Sequence, residues 1–223
     1  MAVNPEILKT ACYFTGLDST ALEDIARFVF EKKLPPEEFV LWEGEEDDVL
    51  YFVVTGMMKL FSTSTEGREF TLRIVFGGDS INDEAVINRA PSILSAITLS
   101  PVVLYGLRQH DLEIILNNYP QVNKRISEVL AARERYLVRL ATDLVFKNVT
   151  GRLAHLLLER EGLAHVSGNN LKITQQEMAS MIGTVRELVS RSLKEMESIG
   201  AVSLEHNQII INDKDRLEEL SAV

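Results

Sequence analysis

The spacing of apolar residues changes along this chain, and that change limits the folds open to it. From Glu37 to Arg108 the pattern changes to the short runs of strands: Phe39–Trp42, Val49–Val54, Met57–Ser62, Phe70–Phe76 and Ser95–Leu107. Polar or glycine-marked turns separate them, as in Glu43-Gly44-Glu45-Glu46-Asp47-Asp48, Thr55-Gly56 and Thr65-Glu66-Gly67-Arg68-Glu69. Short strands punctuated in this way predict an antiparallel barrel or jelly roll. From about His110 to Phe146 strand signals cease. Ile126, Leu130, Arg133, Leu137, Leu140 and Leu144 recur at alternating steps of four and three, a heptad seam. At about 1.5 Å per residue this seam spans roughly 27 Å. A helix of that length can pack back on its own barrel or pair with a second copy. The strict period favours a parallel two-stranded coiled coil, hence a homodimer joined by Ile126, Leu130, Leu137, Leu140 and Leu144. Arg133 interrupts the seam at a cost in stability, and either sets register or sits near a ligand.

Residues 4–30 read as short helices. Gly16-Leu17-Asp18-Ser19-Thr20 is a loop ending in a cap, and Ala21–Phe30 carries Leu22, Ile25, Ala26 and Val29 at helical spacing. Pro35-Pro36 ends that segment. Beyond the seam, Asn148 can cap a helix beginning at Val149 with its amide oxygen. That helix, Val149–Arg160, turns Leu153, Leu156 and Leu157 inward, and Gly162–Asn170 is expected to be a loop.

Residues 173–199 hold a denser pattern. Thr174 followed by Glu177 is a capping box, Met178, Ala179 and Ile182 form an inner face, and Gly183 marks a sharp turn. A second helix starts near Val185, with Leu188, Val189, Leu193 and Met196 inward. Arg186, Glu187, Ser190, Arg191 and Lys194 lie on its outer face. This is a helix-turn-helix with a polar second helix. In the major groove an arginine can pair with guanine O6 and N7, and a glutamate can accept from cytosine N4. After Gly200, Val202–Glu205 and Gln208–Ile211 flank His206-Asn207 as a hairpin, the wing of a winged helix.

Net charge sharpens this reading. The 223 residues sum to −10, which argues against a generic polyanion binder. Positive charge must then be local, and Thr184–Lys194 supplies it, with three basic residues against one acidic. A lone cysteine, Cys12, rules out an intramolecular disulfide and a multi-cysteine metal or Fe–S site. It reads as a small packing residue rather than a redox switch. No apolar run is long enough to span a membrane. Met1-Ala2-Val3-Asn4-Pro5 has no secretory pattern, so a cytoplasmic location is expected. A jelly-roll metalloenzyme would need histidine and carboxylate ligands inside the barrel, yet no histidine precedes residue 110. There is no G-x-S-x-G elbow either. A ligand- or haem-binding sensor module with a different output is the remaining alternative, and the helix-turn-helix with its wing argues against it.

Together these segments resemble the cyclic-AMP receptor protein/FNR superfamily of bacterial regulators over roughly residues 14–215. The likeness rests on Glu43-Gly44-Glu45 with Leu50-Tyr51-Phe52-Val53 and Gly56, on Gly78-Asp79-Ser80-Ile81-Asn82-Asp83-Glu84, and on Asn148-Val149-Thr150-Gly151-Arg152 with Thr174–Arg191. It implies an α+β chain: an antiparallel, cyclic-nucleotide-binding-like β-roll over 1–110, a dimerisation helix and hinge over 111–147, and a winged helix-turn-helix over 148–223. It further implies base contacts by Arg186, Glu187, Ser190 and Arg191. Thr174, Gln175, Gln176, Lys194 and the backbone N–H of Val149 would contact phosphates. The expected target is a palindromic duplex with a TGA-like half-site core, and RNA polymerase is an expected partner.

The sensor segment departs from the resemblance. Asn82 stands where cyclic-nucleotide members carry glycine, and their Arg-Ser pair falls near Ser92-Ile93. Their adenine contacts fall on Leu137 and Val138. Cyclic AMP is therefore disfavoured, although Arg89 lies close enough in sequence to substitute. Asn82, Asp83, Glu84, Arg89, Ser92, Arg133 and Leu137 are the candidate effector pocket. Haem would need an axial ligand, and among His110, His155, His165 and His206 only His110 falls near the barrel edge. The effector is unassigned by the sequence.

Overall fold

The computed structural model describes residues 3–167, 173–205 and 208–222. It divides into two compact units, Met1–Thr63 with Leu72–Glu134, and Ser64–Thr71 with Arg135–Val223.

The first unit opens with α1 (Pro5–Leu8) and α2 (Ser19–Ala26). Asp18 caps α2, its carboxylate accepting from the Ala21 N–H at 2.8 Å. The helical pattern expected to run to Phe30 stops at Ala26, and strand β1 (Val29–Leu34) takes over. Pairing decides this: all six β1 residues lie antiparallel to β8 (Val102–Arg108), with Phe30 opposite Gly106. A side chain at Gly106 would strike the Phe30 ring, so glycine lets the two strands close.

The other strands are β2 (Phe39–Leu41), β3 (Val49–Thr55), β4 (Met58–Thr63), β5 (Glu69–Val75), β6 (Ser80–Ile81) and β7 (Ser95–Thr98). They form two four-stranded sheets in the orders β1-β8-β3-β6 and β2-β7-β4-β5. Strand β3 shows why its sequence is apolar without interruption. Val49, Tyr51 and Val53 enter one core with Val40, Met58, Leu60 and Leu104. Leu50 and Phe52 enter the other with Leu22, Ile25, Tyr105 and Leu107. A strand covered on both faces has no solvent side to mark with polar residues.

Two elements of this unit escaped the pattern, β6 and the short α3 (Asp83–Asn88). Helix α4 (Gln109–Asn118) is separated from α5 (Pro120–Phe146) at Tyr119, the position before a proline being biased away from helical geometry. Val122 and Ile126 of α5 are buried in the barrel-side core. Ile126 therefore leaves the expected seam, because the first turns of α5 cover their own barrel. Leu130, Leu137 and Leu144 remain exposed.

The second unit contains the end of α5, then α6 (Val149–Ser167), α7 (Gln175–Met181), α8 (Arg186–Ser198), the hairpin β9 (Val202–Glu205) and β10 (Gln208–Ile211), and α9 (Lys214–Ser221). Helix α6 runs through Gly162 to Ser167, where a loop was expected. One interior glycine costs only about 1 kcal/mol and does not by itself end a helix. Gly168–Asn170 lie outside the described residues, as do His206 and Asn207 of the expected wing turn. The wing strands pair antiparallel, Ile211 opposite Val202. Helix α9 was not anticipated. Asp213 caps it and Leu217 buries its single anchor in a core made by Leu153, Leu157, Met178, Val189, Leu193 and Met196.

Candidate nucleic-acid interface and barrel cassette

Helix α8 is positioned from its buried side. Val189, Leu193 and Met196 are fully buried, and Ser192 beside them meets the Thr150 hydroxyl at 2.9 Å. That spacing leaves Arg186, Glu187, Arg191 and Lys194 in solvent and Ser190 half-buried. Val185 provides no side-chain cap to α8. The first-turn N–H groups there have no side-chain acceptor among the described residues, and such groups favour anions.

The turn before α8 is held from two directions. Gly183 has φ +65°, and a side chain there would press on Leu144 at 3.0 Å. Arg152 on α6 donates through Nε to the Ile182 carbonyl at 2.8 Å and through Nη1 to the Lys147 carbonyl at 2.7 Å. One guanidinium thus ties the end of α7 to the residue following α5. Asn148 caps α6 as expected, its amide oxygen accepting from the Gly151 N–H at 2.8 Å. The capping box is also present: the Thr174 hydroxyl accepts from the Glu177 N–H at 3.2 Å, and the Glu177 carboxylate accepts from the Thr174 N–H at 2.6 Å. Because the Thr174 hydroxyl donates to Glu177 as well, at 2.8 Å, a phosphate would have to displace that carboxylate to use it. Gln176 is exposed and Gln175 half-buried in the first turn of α7.

In the barrel, the structure brings together only part of the expected effector set. Asp83, at the start of α3, is buried and accepts three hydrogen bonds. These come from the Tyr13 hydroxyl, the Ser80 hydroxyl (2.7 Å) and Nη1 of Arg133. Nη2 of Arg133 donates to the Ser80 carbonyl at 2.8 Å and to Ser80 Oγ at 2.7 Å. Arg73 adds a bond to the same carbonyl at 3.2 Å, and Cys12 Sγ donates to Ser80 Oγ at 3.3 Å. Asn82 donates to the carbonyls of Asp47 and Val49, both at 3.0 Å. Its Oδ1 and Nε of Arg133 are buried with no hydrogen-bond partner among the described residues.

The electrostatics follow from this packing. Burial pushes the Cys12 thiol up, and it pushes the Tyr13 phenol up strongly, with the Asp83 carboxylate adding to that. Burial alone would lower the Arg133 pKa, but Asp83 and its neighbours hold it above the ordinary value. The guanidinium therefore stays charged.

The remaining candidates go elsewhere. Arg89 reaches out to Glu113 at 2.6 Å, and both are largely exposed, so it is not an internal cation. Ser92 is buried but donates to the Leu94 carbonyl at 2.9 Å. Leu137 is 45% exposed. His110 lies exposed on α4. Tyr13, Cys12, Ser80 and Arg73 belong to the cluster yet were missed. An ordered buried Ser-x-x-Asp pair followed by a lone seam arginine was the available signal, but the partner from residues 12–13 had no local mark.

Glu84 is half-buried beside this cluster. Burial raises its carboxyl above the ordinary 4.5, Asp83 raises it further, and hydrogen bonds from its own N–H and that of Ile93 lower it. The folded chain therefore holds this proton to higher pH than the unfolded chain. The stability Glu84 contributes is present below about pH 4.5 and is lost as pH rises through the raised value. Glu84→Gln is expected to stabilise the protein near pH 7 and to reduce the slope of stability against pH above about 4.5. Urea unfolding at a series of pH values measures this. A variant curve parallel to the wild type, with no gain at neutral pH, would contradict it.

Comparison with known proteins matches the same two regions. A model described as "Crp-like helix-turn-helix domain" covers residues 151–220, and one described as "Cyclic nucleotide-binding domain" covers 31–119. A relative named "CRP-like cAMP-activated global transcriptional regulator", from Mycobacterium tuberculosis, is 29% identical over 217 residues, covering 95% of this chain and 97% of its own. The "Cyclic AMP receptor protein" of Thermus thermophilus is also 29% identical, over 218 residues, covering 96% of this chain and 98% of its own. Among solved structures, FixK2 from Bradyrhizobium japonicum has the same fold. Its TM-score is 0.76 at 24% identity, covering 87% of this chain and 98% of that one. Two domain models in the expected order, relatives matched nearly end to end, and the exposed polar face of α8 all agree: the chain belongs to the Crp/Fnr superfamily, a family of transcription regulators and not of enzymes.

Proposed function

We propose that this regulator acts as a cytoplasmic homodimer that inserts α8 of each copy into successive major grooves of a palindromic duplex. The observation that carries the reading is the division of α8 into a buried face, Val189, Leu193 and Met196, and a solvent face bearing Arg186, Glu187 and Arg191. None of these three makes an ion pair with another described residue, so their donors and acceptors are open to base edges. Arg186 and Arg191 suit guanine, and Glu187 suits the cytosine amine of a TGA-like half-site. Ser190 adds a further base contact. Lys194, Gln175, Gln176, Thr174 and the Val149 N–H would hold the backbone and set register without reading sequence.

Dimerisation is supported by the apolar positions α5 leaves in water, chiefly Leu130, Leu137 and Leu144. Such a stripe is expected to be buried by a second copy. Acting from DNA, a regulator of this kind takes RNA polymerase as its protein partner.

Fluorescence anisotropy with a palindromic TGA-core duplex at fixed salt tests the reading, with a scrambled duplex as control. Arg191→Ala is expected to cost about 1–3 kcal/mol on the palindrome and to relax base choice at one position. Equal weakening on both duplexes would assign Arg191 to the backbone instead.

A further inference from the structure

We propose that the barrel cassette is self-liganded: Arg133, supplied by the chain's own long helix, occupies the charge position a cyclic phosphate would need, so DNA binding requires no cyclic nucleotide. The inference rests on the reading above for its DNA half and on the cassette alone for its ligand half.

A match to a cyclic-nucleotide-binding domain over 31–119 implies a phosphodiester ligand in this barrel. A phosphodiester is a monoanion, and burying one requires a cation or several aimed N–H and O–H donors. The cassette offers the reverse. Its deepest charged group is a carboxylate, Asp83, which is buried. Most donors around it are already committed: the Tyr13 and Ser80 hydroxyls and Arg133 Nη1 to Asp83, and Arg133 Nη2 to Ser80, which leaves Nε of Arg133 as a buried donor without a partner among the described residues. Of the other cations, Arg89 is paired outside with Glu113, and Arg73 already donates to the Ser80 carbonyl at 3.2 Å. A phosphate entering here would meet a buried like charge, and capturing Arg133 would leave Asp83 uncompensated. The residues present do not fit a cyclic nucleotide.

They do fit a link that needs none. Ser80 lies on β6 and Asp83 begins α3, while Arg133 lies within α5, which continues unbroken to Phe146. A ligand can shift a regulator only by binding one arrangement better than another. Here the connection between cassette and helix is made by side chains that are always present. Control of this regulator would then not pass through a cyclic nucleotide in the barrel.

The test uses the intact protein. Cyclic AMP and cyclic GMP are titrated calorimetrically to about 1 mM, and affinity for the TGA-core duplex is measured with and without each. No saturable heat and a duplex affinity unchanged within about twofold are expected. Arg133→Leu is expected to weaken duplex binding about tenfold or more, and the Asp83→Asn/Arg133→Leu double variant should bind no worse than the weaker single variant, as for two ends of one link. Saturable binding of either nucleotide, a tenfold gain in duplex affinity on adding it, or wild-type duplex affinity in Arg133→Leu would overturn the proposal. Should Arg133→Leu fail to fold, the wild-type titrations decide alone. If the wild-type protein ignores every duplex, with and without nucleotide, the DNA reading and the effector-free half of the proposal fall together. The calorimetry still judges the cassette.

Discussion

Replacing Leu137 and Leu144 with glutamate is expected to leave the chain monomeric and to weaken its grip on a palindromic duplex by about a hundredfold or more. Leu137 is 45% and Leu144 39% exposed in the single chain, and Val138, Val145 and Phe146 are more exposed still. Leu137 contributes little to its own fold, whereas Leu144 also lies near the Gly183 turn, so unchanged circular dichroism and unchanged half-site affinity are the controls. In a parallel pair these side chains would face their counterparts, and two glutamates per copy would place four like charges along one dry seam. The large effect on DNA arises because a dimer holds its second reading helix at an effective concentration near millimolar once the first is bound. A monomer loses that advantage without losing any contact to a half-site. Sedimentation velocity reads the association state, and anisotropy reads full-site against half-site affinity. A drop confined to the full site is the expected signature. A variant that remains dimeric would remove this stripe from the interface.

The second large effect is inside the barrel. Asp83→Ala is expected to destabilise the protein by about 3 kcal/mol, the lower end of the cost of breaking a buried ion pair. The lower end applies because the Arg133 side chain keeps 20% exposure and can recover some hydration, whereas that of Asp83 has 1%. The loss has a second component. The Tyr13 hydroxyl, buried, donates to Asp83 and would be left without that acceptor. Tyr13→Phe in the same background should therefore return part of the loss, since it removes the stranded donor. Urea unfolding of the single and double variants measures both steps. A loss under about 1 kcal/mol for Asp83→Ala would mean the pair is well solvated and no longer a buried link.

How much of the site was legible in the sequence depended on how locally each feature is encoded. The capping box at Thr174 and Glu177, the Gly183 turn and the two faces of α8 involve residues within a few positions of one another. Their geometry follows from helix periodicity and from hydrogen bonds inside one turn. The effector set fared differently. Arg89 and Ser92 were grouped with Asp83 by nearness in sequence, yet the chain turns between them and sends Arg89 to Glu113. Tyr13 and Cys12, about seventy positions from Asp83, carry no pattern that would announce their place.

The same division holds for the fold as a whole. Short apolar runs between turns, heptad spacing and local capping signals determined a β-roll, a long helix and a helix-turn-helix with a wing, because each is set by residues within a few positions of one another. Tertiary structure decided where elements compete. Val29–Leu34 became a strand because β8 offered a row of hydrogen bonds that outweighed a helical spacing. Ile126 left the seam because its own barrel core lay nearer than any partner could. Arg133, a flaw in a heptad when read along the chain, became the buried partner of Asp83 because only the folded barrel brings a carboxylate from fifty positions away within reach. Long-range charge pairing leaves no periodic trace, since it depends on where two separate segments end up and not on how either one is spaced.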